Sequence, residues 1–209
     1  MMEILDKIAV TLEDGDAETV LKLVDSALQD GIAVQTILNE GLIKGMTSVG
    51  RKFRDGEIFI PEVLIAARAM TRGISRLEPM FAQSGVKTRG KLIIGTVQDD
   101  LHDIGKNLVA IMFKGAGFEV IDLGVNVAAE KFLAAARQHQ PDIIGLSALL
   151  TTTMVSMGTI IKKLREAGVR TPVIVGGAPV SEEYANSIQA DLFARNAMEG
   201  VDKVLQYLN

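Results

Sequence analysis

Leu92-Ile93-Ile94-Gly95-Thr96-Val97-Gln98-Asp99-Asp100-Leu101-His102-Asp103-Ile104-Gly105-Lys106-Asn107 is the stretch that decides the fold. Its opening apolar run, Leu92 to Val97, is too short for anything but a buried strand. Ile104, Leu108, Val109, Met112 and Phe113 then recur at the helical period. Asp100, His102, Asp103 and Gly105 therefore occupy a turn at the carboxyl end of a strand. Open parallel α/β sheets bind their ligands there.

Downstream the same alternation continues. Strands are predicted over 92–97, 119–123, 143–147, 173–175 and 192–194, with helices over 104–114, 128–139, 154–167 and 182–189 and from Ala197 to the end. Short strands joined by crossover helices imply a doubly wound parallel sheet of five strands in the flavodoxin-like order, a Rossmann-like α/β domain over 91–209.

Upstream the pattern is helical only. After a short opening helix, Asp16 suits an N-cap, and Ala17, Val20, Leu21, Val24, Ala27 and Leu28 make one apolar face that Gly31 ends. A third helix carries Val34, Ile37, Leu38, Leu42, Val49 and Phe53, with Gly41 and Gly45 thinning one side for close packing. Pro61 opens a fourth, which buries Val63, Leu64, Ala67, Met70, Ile74 and Leu77 and extends toward Phe81. Residues 1–83 are thus expected to form a four-helix bundle. Between the last two helices, Phe53, Ile58, Phe59 and Ile60 place large apolar groups around Gly56; they either plug the bundle end or form a lid over a ligand. The polar stretch 84–90, with Gly85 and Gly90, reads as a linker.

Composition narrows the function. The chain has 209 residues, 48% of them apolar, with a net charge of −4. That balance disfavours nucleic acid as a partner. No apolar run is long enough for a membrane span, and the N-terminus lacks the order of a secretory signal. The absence of cysteine removes disulfides, thiolate metal sites and a cysteine nucleophile, and fits a cytoplasmic address.

Three strand ends carry chemistry: Asp100-x-His102-x-x-Gly105, the run from Ser147 through Leu149, Thr151, Thr152 and Thr153, and Gly176-Gly177. In the flavodoxin-like order the first two flank the switch-point crevice, so they converge on one ligand. The chain lacks a Gly-x-Gly-x-x-Gly turn and a Walker lysine loop, which disfavours a nucleotide. Ser147 lacks the nucleophile elbow. His102 remains open between a metal ligand and a helix-start histidine bonded to a neighbouring carboxylate.

Together these motifs, Asp100-x-His102-x-x-Gly105, Ser147-x-Leu149 and Gly176-Gly177, resemble the signature of the cobalamin-binding domain of methionine synthase and corrinoid methyltransferase proteins. Gly45-Met46, Val49-Gly50, Phe53, Gly56-Glu57, Phe59-Ile60-Pro61-Glu62-Val63 and Met70 resemble that family's helical cap. The resemblance implies that His102 coordinates cobalt from the lower face, while Asp100 accepts a hydrogen bond from the other ring nitrogen. Thr153 matches a serine that shares the proton, keeping the hydroxyl and adding a methyl group. Asp103, Ile104, Gly105 and Leu149 belong to the binding turns, and Ser147, Thr151, Gly176, Gly177 and Ala197 match positions lining a slot for the nucleotide tail. Phe53, Ile60, Val63 and Leu64 match cap residues over the methyl-bearing face.

A free-standing chain with a cap and no further module resembles the corrinoid proteins of multi-component methyltransferase systems, particularly the methylamine and methanol types. The implied cofactor is a corrinoid, cycling between Co(I) and Co(III) through methylcobalamin. The implied partners are a substrate:corrinoid methyltransferase, an acceptor methyltransferase using tetrahydrofolate or coenzyme M, and a reductive activase. A cobalamin sensor or store, and the cobalamin subunit of a carbon-skeleton mutase, are the alternatives.

Overall fold

The computed structural model describes residues 2–84 and 88–208. The chain divides into two compact units, with the division at Thr88–Arg89. Of the expected linker, residues 85–87 lie outside the described residues, and Ser84 ends a short helix.

The first unit is helical. Helix α1 (Met2–Glu13) is followed by α2 (Ala17–Gln29), whose N-cap Asp16 accepts from the Thr19 amide at 3.0 Å. Gly31 ends α2 in the left-handed conformation (φ 73°), while the Ile32 N–H reaches back to the Ala27 carbonyl at 3.0 Å. The third rod is not one α-helix. Helix α3 (Val34–Thr36) passes into a π-helical stretch, Ile37–Ile43, and then into α4 (Lys44–Arg54). Close packing explains its glycines: a Cβ on Gly45 would stand 2.7 Å from the Ala9 carbonyl oxygen of α1, and one on Gly41 would stand 3.0 Å from Ile8. Helix α5 (Ile60–Leu77) carries Pro61 in its first turn, and Glu62 accepts the Phe59 N–H at 3.1 Å.

The buried stripe of α5 is Val63, Ala66, Ala69, Met70, Gly73 and Leu77. Leu64, expected in the core, is 49% exposed, because it falls one position off that stripe. Pro79 then breaks the helix into a 3-10 turn (Glu78–Met80), so Phe81 opens the separate helix α6 (Phe81–Ser84). In the preceding loop, Phe53 and Ile58 are half-buried. Phe59 and Ile60 are exposed, Phe59 to 68%, so plugging the bundle end accounts for only half of that loop.

The second unit is a parallel sheet in the order β2-β1-β3-β4-β5, formed by β1 (Lys91–Thr96), β2 (Glu119–Asp122), β3 (Ile143–Ser147), β4 (Val173–Gly176) and β5 (Leu192–Ala194). The connecting helices are α7 (Ile104–Gly115), α8 (Ala129–His139), α9 (Thr151–Glu166) and α10 (Glu182–Ser187), and α11 (Ala197–Leu208) closes the unit. The strands read as nearly continuous apolar runs because helices cover both faces. One face packs Ile93, Ile144, Leu146 and Val175 against Phe132 of α8 and Met157, Ile160 and Leu164 of α9. The strand order reverses between the parallel neighbours β1 and β3, whose register pairs Thr96 with Ser147 and so places both strand ends at the switch point.

Helix α9 starts at Thr151, three residues earlier than expected. Leu150 is extended (ψ 144°), and the Thr153 hydroxyl lies 3.1 Å from its carbonyl, which lets threonines occupy the first turn. No helix among the described residues is long and apolar enough to cross a membrane.

Candidate functional site

The site begins with a buried charge. The Asp100 side chain, in the turn after β1, has 0% exposure, which an ionised carboxylate tolerates only when fully hydrogen-bonded. Each of its oxygens accepts from two donors. Oδ1 takes the His102 amide at 3.0 Å and His102 Nδ1 at 2.7 Å. Oδ2 takes the Leu149 amide at 2.8 Å and the Thr153 hydroxyl at 2.7 Å. Burial pushes this carboxyl up, but the Thr153 hydroxyl, the two amides and the imidazole together hold it far below the ordinary carboxylate range.

An ionised Asp100 accepts only, so His102 presents a proton on Nδ1, and Nε2 is the nitrogen that carries the lone pair in the neutral ring. The imidazole is half-exposed beside its buried partner. This is a ligand nitrogen whose tautomer is fixed from behind. The switch point thus joins Asp100 and His102 after β1 to Leu149 and Thr153 after β3 by direct hydrogen bonds. Asp103 accepts from the Asn107 side chain at 3.1 Å, and Ile104 and Gly105 are exposed at the start of α7.

The positions matched to the nucleotide slot are placed on neighbouring strand ends. Ser147 pairs in register with Gly176, Gly177 follows, Thr151 is exposed on the first turn of α9, and Ala197 is buried at the start of α11. Gly177 has a reason within the fold itself: at φ 134°, a Cβ there would stand 1.8 Å from the Ala148 carbonyl oxygen. In the helical unit, Ile60 and Leu64 are exposed and Phe53 is half-buried. Val63 is fully buried and offers no exposed surface to a ligand.

Sequence reasoning missed two supports of this turn. Buried Thr96 donates its hydroxyl to the His102 carbonyl at 2.8 Å. Asn126, in the loop after β2, accepts the Asp99 amide at 2.8 Å on its side chain. The positive φ of Asn126 (51°) and Asp99 (66°) is not encoded by any local motif.

The donor set suits a metal that brings its own ligands. No group of three His, Asp or Glu side chains gathers as a metal cluster among the described residues. His102 offers a single nitrogen, flanked by exposed Leu101, Ile104, Leu149 and Leu150. A metal carried by its own organic ring would ask the protein for a single further donor and for apolar surface beside it. At Gly105, the space a Cβ would fill is open.

The comparisons agree with that geometry. Residues 90–202 match a B12 binding domain, and residues 4–78 match a second family model also described as a B12 binding domain. The fold and the family matches are those of a cobalamin-binding protein. A corrinoid protein of Desulfitobacterium hafniense is 41% identical over 97% of this chain and 96% of its own. The trimethylamine corrinoid protein of Methanosarcina barkeri is 41% identical over 99% and 97%. Among solved structures, a chain of the methanol:cobalamin methyltransferase complex of Methanosarcina barkeri superposes with a TM-score of 0.87, at 30% identity, covering 98% of this chain and 80% of that one. The chain belongs to the family of B12-binding corrinoid proteins found in methyltransferase systems. Its cofactor is a corrinoid.

Proposed function

We propose that this chain is a methyl carrier, which accepts a methyl group from a substrate-specific methyltransferase and presents it to an acceptor methyltransferase. The donor would be a small methylated compound of the kind that names its relatives: trimethylamine, dimethylamine or methanol. Tetrahydrofolate or coenzyme M would be the final acceptor, with a reductive activase as a third partner and the cytoplasm as the setting. The observation that carries the reading is the buried Asp100 carboxylate, whose four donors aim His102 Nε2 outward.

When bound, the corrinoid supplies a cobalt centre able to take up and release a methyl group. The chain's own residues do the rest. His102 Nε2 would hold the cobalt. Asp100 keeps the ring in the donating tautomer, and a shift of the Nδ1 proton toward it strengthens the ligand. Thr153 opposes that shift by hydrogen-bonding the far oxygen. Ser147, Thr151, Gly176, Gly177 and Ala197 would line the path of the nucleotide tail, with Asp103, Ile104, Gly105 and Leu149 in the binding turns. Phe53, Ile60 and Leu64 would be the apolar residues that the helical unit offers to exclude water from the cofactor; Val63, fully buried, would serve only the packing of its own unit.

The test is reconstitution. The apoprotein should bind about one equivalent of cobalamin, given its single outward imidazole nitrogen. The reduced holoprotein should acquire label from an isotopically methylated donor only when the matching methyltransferase is present. Tight binding without transfer would favour a sensor or store. A protein left colourless by several cobalamin forms would contradict the reading.

A further inference from the structure

The turn that carries His102 is gripped from outside itself. On one side, the Thr96 hydroxyl holds the His102 carbonyl at 2.8 Å. On the other, Asn126 closes a two-point clasp: its Oδ1 accepts the Asp99 N–H at 2.8 Å, and its own N–H donates to the Asp100 carbonyl at 2.9 Å. Asp99 and Asn126 are both left-handed without being glycine, at a cost of roughly 1 kcal/mol or more each. The strain therefore sits on the residue before Asp100 and on the residue that clasps it.

The clasp is itself anchored. The Thr96 N–H donates to the Gly124 carbonyl at 3.0 Å, and Val127 N–H donates to the Thr96 carbonyl at 2.9 Å. Asp122 accepts the Gly124 N–H at 2.8 Å and pairs with the buried ammonium of Lys106 near the start of α7. The loop after β2 is thus tied to β1 and α7, and only then to the histidine turn. The Thr96 and Asn126 side chains bond to backbone groups of the turn rather than to the imidazole, so they act through others.

We infer that Asn126 and Thr96 are positioning residues that set the Asp100–His102 turn in its ligating geometry before the cofactor arrives. Asn126 fixes the turn ahead of Asp100, and Thr96 fixes it behind His102. Preorganisation of this kind strengthens a metal–ligand bond without touching the metal. The inference rests on His102 being the cobalt ligand, and its test separates the two.

The protein is loaded with cobalamin and reduced to the Co(II) state, and nitrogen splitting in the electron paramagnetic resonance spectrum reports the fraction of cobalt ligated by histidine. Asn126→Gly removes the side-chain acceptor while accepting the left-handed backbone. The ligated-to-unligated ratio should fall about fivefold, equal to about 1 kcal/mol for one lost hydrogen bond. Asn126→Asp keeps an acceptor on a residue that also tolerates positive φ, and should restore the ratio to within about twofold of wild type. Thr96→Val removes the second grip isosterically and should lower the ratio independently. Wild-type ratios in both Asn126→Gly and Thr96→Val, or failure of Asn126→Asp to rescue, would overturn the inference alone. Absence of nitrogen splitting in the wild-type protein would overturn the His102 assignment and this inference with it.

Discussion

Replacing Asp100 by Asn tests the site more sharply than its similar size suggests. Each carboxylate oxygen accepts from two donors, and on each side one of them is a backbone N–H that cannot turn away. An amide supplies one acceptor oxygen and one donor NH2 group. If the NH2 faces the Oδ2 side, Thr153 has a fallback in the Leu150 carbonyl at 3.1 Å, but the Leu149 N–H is left facing a donor. If it faces the Oδ1 side, the His102 N–H is stranded instead. His102 Nδ1 must then accept, which moves the ring proton to Nε2 and removes the lone pair from the metal.

One stranded buried donor costs about 1–3 kcal/mol, and loss of charge assistance at the remaining bonds brings the total to about 2–4 kcal/mol. Urea denaturation of the apoprotein at pH 7 should show this loss. The difference is itself pH-dependent. Asp100 is held below its ordinary value in the folded protein, so its contribution is complete above the unfolded value of about 4 and drains away as pH falls below it. The gap between wild type and Asp100→Asn should therefore narrow below about pH 4. A variant within about 0.5 kcal/mol of wild type at pH 7, with histidine still bound to cobalt, would refute the four-donor account.

Other expectations follow from single contacts. Gly177→Ala sets a Cβ 1.8 Å from the Ala148 carbonyl oxygen at φ 134°, so denaturation should show a loss above about 2 kcal/mol. Gly45→Ala, 2.7 Å from the Ala9 carbonyl oxygen, should cost about 1–3 kcal/mol and lower the melting temperature of the helical unit. Ile60→Ser alters an exposed side chain, so stability should hold within about 0.5 kcal/mol. If Ile60 shields the cofactor, the same variant should lose a bound methyl group to light and water faster, followed by absorbance.

What the sequence shows and hides follows from how local each signal is. The five strands were legible because apolar runs bounded by Gly, Pro and Asp have few other homes, and the sheet order followed from the alternation. Asp100 and His102 were legible because their pairing spans only two residues. Thr153 was legible only through a resemblance, since its bond to Asp100 bridges 53 residues. Asn126 was invisible for the same reason: it meets Asp99 across 27 residues, and nothing local marks its left-handed backbone. The π-helical stretch Ile37–Ile43 left no trace either, because one added residue per turn shifts the apolar face without abolishing it. Leu64 was misplaced by the same tolerance, since residues 63 and 64 both satisfy a helical period and only packing decides which is buried.

The central claim is that His102 Nε2 holds the cobalt. The chain has two histidines, so isotopic labelling can address it directly. The protein is produced with nitrogen-15 histidine, loaded with unlabelled cobalamin and reduced to Co(II). The nitrogen splitting in its electron paramagnetic resonance spectrum should change from a triplet to a doublet, and it should vanish in His102→Ala while cofactor binding largely persists. A triplet that survives labelling, or a doublet that survives His102→Ala, would contradict the account.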